Sequence, residues 1–122
     1  MGFEVIALDH VQLAMPAGGE SQAEAFYCGL LGFVRVPKPE PMASRGGCWF
    51  TSGPVAIHLG VEAEFRPAHK AHPALVVRDL AALVAHLGAQ GVAVRANPDQ
   101  PAGRGCYVDD PFGNRIELID AG

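Results

Sequence analysis

Apolar and polar positions alternate with a period of two along residues 4–15. Val11, Leu13 and Met15 fall on one side, and Leu8, His10, Gln12 and Ala14 on the other. This predicts a strand, which Pro16-Ala17-Gly18-Gly19 ends. The period then becomes helical. Ala23, Phe26, Tyr27, Leu30 and Leu31 form one stripe, Ser21 and Glu24 have capping-box spacing, and Gly32 stops the run, so a helix is expected over residues 21–31. A second strand over 33–36 leads into a loop stiffened by Pro37, Pro39 and Pro41, either a surface connection or a lid that carries Arg45 inward. Residues 47–51 and 55–61 read as a hairpin. The same succession then returns. His72 to Arg78 is a strand, and Asp79 caps a helix over 79–90 with Leu80, Leu83, Val84 and Leu87 on its buried stripe. Residues 92–95 form a short strand, and a hairpin turning at Asp110-Pro111-Phe112-Gly113-Asn114 closes the chain.

The return is a repeat at the level of residues. Gly47-Cys48-Trp49-Phe50, a turn, then Ala56-Ile57-His58-Leu59 is matched by Gly105-Cys106-Tyr107-Val108, a turn, then Arg115-Ile116-Glu117-Leu118. Asp9-His10-Val11-Gln12-Leu13 is matched by Ala71-His72-Pro73-Ala74-Leu75. The expected architecture is α+β: two βαβββ modules, about 4–62 and 68–121, within one domain. Their curved mixed sheets should surround a cleft, with the helices outside. The connector, with Phe65, Arg66, Pro67, His69 and Lys70, reads as a solvated linker.

A chain of 122 residues with 18% charged residues has the composition of one compact domain. A net charge of −4 without any Lys/Arg run argues against nucleic acid or an anionic membrane as partner. Three cysteines without metal-finger spacing fit free thiols in the cytoplasm. No stretch approaches membrane-spanning length.

The repeat also places the chemistry. His10, His58, His72 and Glu117 each sit on a strand and share one face by alternation, while the other face is aliphatic throughout. Module symmetry equates His10 with His72 and His58 with Glu117. Three imidazoles and one carboxylate suit Zn²⁺, Ni²⁺, Fe²⁺ or Mn²⁺, and two His plus one Glu already make a facial site. Tyr107 falls opposite Glu117 across the last hairpin, where its phenol can serve the site or simply pack.

These residues resemble the vicinal oxygen chelate superfamily: glyoxalase I, fosfomycin-resistance transferases, bleomycin-resistance proteins, extradiol dioxygenases and methylmalonyl-CoA epimerase. The resemblance rests on Asp9-His10-Val11, on Ala25-Phe26-Tyr27 with Leu30-Leu31-Gly32-Phe33, on His72, and on Asp109 through Glu117. It implies a divalent metal held by His10, His72 and Glu117, with His58 where glyoxalase I usually has a fourth ligand, a Glu. It further implies a homodimer acting on a small molecule. A glyoxalase-type lyase or isomerase using Glu117 and Tyr107 is the leading expectation. An extradiol-type dioxygenase and a metal-free drug-binding protein are the alternatives.

Overall fold

Each module lays one face of a four-stranded sheet against a helix and leaves the other face open. The computed structural model describes residues 2–122. Module one contains β1 (Val11–Met15), α1 (Glu20–Tyr27), β2 (Val34–Val36), a 3-10 turn (Met42–Arg45), β3 (Cys48–Ser52) and β4 (Val55–Val61). Module two contains β5 (Ala74–Val77), α2 (Leu80–Ala89), β6 (Arg95–Ala96), β7 (Gly105–Asp109) and β8 (Arg115–Asp120). The sheets run β1-β4-β3-β2 and β5-β8-β7-β6, so the α+β repeat expected from the sequence is the fold. No helix among the described residues is long and apolar enough to cross a membrane.

The equivalence holds to the register. Gln12 stands beside His58 in the parallel β1–β4 pair, and Ala74 stands beside Glu117 in the parallel β5–β8 pair. Trp49 lies opposite His58 as Tyr107 lies opposite Glu117. The helix-facing sides carry Leu13, Met15, Phe50, Ile57 and Leu59 in one module and Val108, Ile116 and Leu118 in the other, all buried. Burying those side chains is what fixes the register, since a one-residue slip would turn every one of them to the open face.

Several boundaries differ from expectation. β1 begins at Val11 rather than near Glu4 and β5 at Ala74 rather than His72, so His10 and His72 stand just ahead of their strands, where no neighbouring strand pairs with them. β6 is Arg95–Ala96 rather than residues 92–95. α1 ends at Tyr27, and the stretch to Gly32 is a turn with Gly32 at φ +78°. Ser21 does not cap α1. The N-cap is Gly19, and the Glu20 carboxylate accepts the Gly47 N–H (2.8 Å) while Glu24 pairs with Arg35 (3.0 Å). Gly47 must be glycine here, since a Cβ would lie 2.1 Å from the Leu59 carbonyl oxygen at φ +80°. Asp79 does cap α2, accepting from the Ala82 N–H at 3.2 Å.

The last turn is an interior hub rather than a surface loop. Asp110 accepts from the Phe112 and Asn114 N–H groups (2.9 Å each) and from the Tyr27 hydroxyl (2.8 Å). Asn114 donates to the Asp110 carboxylate (2.9 Å) and to the Ala14 carbonyl (2.8 Å), and accepts from the Ala68 N–H (3.0 Å). One buried pair therefore ties the second module's hairpin to α1, to β1 and to the linker. Burial beside that carboxylate drives the Tyr27 phenol far above its ordinary value, which keeps it a donor.

Candidate functional site

The open face of the second sheet carries a connected polar group. His72 precedes β5, and Glu117 is brought to it by the β5–β8 pairing; Nε2 and Oε1 stand 2.9 Å apart. Nδ1 of the same ring lies 2.8 Å from the Lys70 carbonyl. A carbonyl can only accept, so Nδ1 carries the proton. In the neutral ring, Nε2 then presents a lone pair to a carboxylate oxygen. Two electron-rich atoms that close need a proton on one of them or a cation between them. The pair offers two ligand atoms suited to a divalent ion, and the Nδ1–H bond to a backbone carbonyl is the usual brace for a ligating imidazole. Asn97, buried, donates to the other Glu117 oxygen at 3.2 Å. Tyr107 sits directly across from Glu117, its ring edge-on to His72 with centroids 5.7 Å apart. The Arg115 guanidinium lies 5.2 Å above the Tyr107 ring.

The equivalent face of the first sheet is aromatic. Trp49, His58 and His10 form one stack, with centroids 4.0 Å apart at each step and planes 5° and 18° from parallel. Burial, and next the neighbouring His10 ring, push His58 below its ordinary 6.5, so His58 is a neutral ring in the stack. His10 donates through Nδ1 to the Asp9 carboxylate at 2.8 Å, leaving the Nε2 lone pair available to ligate.

The four candidate ligands therefore lie as two pairs, His10 with His58 and His72 with Glu117, one on each sheet. Among the described residues no three His, Cys, Asp or Glu side chains converge closely enough to hold one ion. Arg45, considered above as a lid residue, is exposed in its 3-10 turn. Sequence reasoning missed Asp9, Asn97 and Arg115. Asp9 and Arg115 had a findable signal: one adjoins a candidate ligand, and the other shares the Glu117 face two positions before it.

β1 and β5 are both sheet-edge strands, and between their free edges runs a groove of about 720 Å³, walled by residues 8–14 and 71–76. Ahead of β1, Phe3, Val5, Ile6 and Leu8 are 75%, 93%, 83% and 76% exposed, the densest run of exposed large apolar side chains among the described residues.

Comparison with known proteins agrees with this architecture. No curated protein matches the chain. A glyoxalase-family protein from Bacillus anthracis is 44% identical over 98% of both chains, with a TM-score of 0.93. The antibiotic-binding protein TnmS3 from Streptomyces sp. CB03234 is 26% identical over 97% of this chain and 100% of its own, with a TM-score of 0.68. The fosfomycin resistance protein FosX from Listeria monocytogenes shares the fold at 14% identity, covering 98% of this chain and 96% of its own, with a TM-score of 0.74. The model of the Glyoxalase/Bleomycin resistance protein/Dioxygenase superfamily matches residues 7–118, and the chain belongs to that superfamily.

Proposed function

We propose that the protein is a cytoplasmic, metal-dependent enzyme of glyoxalase type, a lyase or isomerase acting on a small molecule. The observation that carries this reading is the His72–Glu117 pair, which offers a ring nitrogen braced through Nδ1 and a carboxylate oxygen 2.9 Å away as two ligand atoms on one face. His10, His72 and Glu117 would hold Zn²⁺, Ni²⁺, Fe²⁺ or Mn²⁺, with His58 the candidate fourth ligand. When bound, the ion would grip two neighbouring oxygens of the substrate and draw electron density from the carbon beside them. Glu117 would take the proton from that carbon on the oxygen that leaves the ion, its other oxygen held by the Asn97 amide. Tyr107, across the hairpin, would donate to the oxygen on which charge develops.

We further propose that each site is completed by a second copy in a homodimer. Support comes from the split donors, the two unpaired edges and the exposed apolar arm, because an uncovered apolar edge invites pairing. In a two-fold arrangement the β1 edge of one copy, with His10, would meet the β5 edge of the other, with His72. A second reading, metal-free sequestration of a flat small molecule, draws on the Trp49–His58–His10 stack as an aromatic wall.

The test is complementation of metal binding. H10A and E117Q should each lose the ion by elemental analysis of protein purified without chelator. Unfolded and refolded together, they should regain about one quarter of the wild-type sites by random pairing, because only one site of the mixed dimer keeps all its ligands. No recovery would refute the shared site. Wild-type protein free of metal would favour the second reading. Turnover confined to the Fe²⁺ form with oxygen uptake would replace the isomerase by a dioxygenase.

A further inference from the structure

Arg115 is a cation of the second module's open face that no carboxylate claims among the described residues. Alternation along β8 puts it on the same face as Glu117, with Ile116 and Leu118 buried behind. Its cross-strand neighbour is Asp109, the obvious partner. Yet Arg95 takes both Asp109 oxygens in a forked pair, at 2.9 and 2.8 Å. Among the described residues no acid lies within ion-pairing distance of the Arg115 guanidinium. It rests instead over the Tyr107 ring, and Tyr107 in turn touches His72. The ring face restrains the guanidinium without neutralising it, and the planar fork is left to engage an acceptor.

We propose that Arg115 binds an anionic group of the substrate, a carboxylate or a phosphonate, beside the oxygens handled at His72 and Glu117. This rests on the reading of that site given above. Charge balance supports it. The Arg95–Asp109 pair is neutral, and the Glu117 carboxylate is already engaged by His72 and Asn97, so the Arg115 charge is left in excess. An anion satisfies that excess where a neutral diol does not. Forked recognition also fixes the orientation of the group, which would set which of the substrate's carbons faces Glu117. The substrate class narrows to small 2-hydroxy or 2-oxo acids and their phosphonate counterparts.

The test compares lactate with lactamide, which differ by the charge, on Ni²⁺-loaded protein by ligand-observed NMR. R115M should weaken lactate by about tenfold or more, as expected for loss of a charged hydrogen bond, with R115K between the two. Lactamide binding and Ni²⁺ affinity should not change. Equal loss for both ligands would overturn the assignment. In metal-free protein the probe is methylphosphonate and the reporter is the set of Tyr107 ring resonances, which lie beneath the guanidinium and remain in R115M. A wild-type shift that R115M abolishes supports the anion site even if Ni²⁺ fails to bind, and its absence in wild type overturns it.

Discussion

Asn114→Ala tests the hub that joins the modules. The Asn114 side chain is 1% exposed and makes three hydrogen bonds of 2.8, 2.9 and 3.0 Å. Alanine would strand the Ala14 carbonyl and the Ala68 N–H, and would remove one of the four donors that serve the Asp110 carboxylate. A buried polar group left without a partner costs about 1–3 kcal/mol. Ala14 and Ala68 are both only partly buried and can recover a water, and Asp110 keeps its other donors. The expected loss is therefore about 1–3 kcal/mol, or roughly 4–15 °C in Tm for a chain of this size. Asn114→Asp sharpens the test. It keeps an acceptor for Ala68 but sets a second carboxylate against Asp110 Oδ2, where the amide now stands 2.9 Å away. Like charges that close cannot both stay ionised, so N114D should be less stable than N114A at pH 7 and regain ground as the pH falls. Urea unfolding followed by Trp49 fluorescence, at fixed protein concentration so that any self-association contributes equally, measures both. An N114A loss under about 1 kcal/mol, or N114D matching wild type at pH 7, would refute the hub.

Two further predictions concern pH. Trp49 is the single tryptophan and stacks on His58, so protonating His58 should quench its emission. Because the folded His58 lies below its ordinary 6.5, the quenching midpoint should fall below 6.5, and stability contributed by the neutral ring should be lost as the pH falls through that midpoint. A midpoint at or above 6.5, or one that persists in H58F, would contradict the stack. Glu20 is held below its ordinary 4.5 chiefly by the Gly47 N–H. Its contribution is therefore present above 4.5 and lost as the pH drops further, so the stability gap between wild type and E20Q should close below about pH 4. A gap constant from pH 7 to 3 would sink that account.

Much of this molecule is legible in the chain because local rules and the fold agree. Asp79 reads as a cap and is one, and the Tyr107–Glu117 register follows from the turn between their strands. The exceptions share a cause. Residues 4–10 alternate like a strand, but alternation reports which face is apolar and not whether a neighbour exists to pair with. Ser21 and Glu24 have capping spacing, yet Glu24 finds Arg35 and Glu20 finds Gly47, partners no local window contains. Asp110 and Asn114 look like turn residues and are, but their side chains point inward, to a tyrosine 83 residues away and a carbonyl 100 residues away. Long-range hydrogen bonds leave no periodic trace.

The separation of the ligand pairs follows from the same hub. One hydrophobic core runs behind the helix faces of both modules, and the turn at Asp110–Asn114 fastens the second hairpin to α1 and β1. That fastening commits the two modules of one chain to a contact through α1 and the ends of strands. The open faces, His10 with His58 on one and His72 with Glu117 on the other, then have no route to each other within the chain except across the groove between β1 and β5. The hub and the proposed shared site would then be linked consequences of one arrangement. If so, a variant that loosens the hub without unfolding the chain, such as Tyr27→Phe, should weaken metal binding and dimerisation together although it touches no ligand. Loss of one with full retention of the other would separate them and leave the groove to some other use.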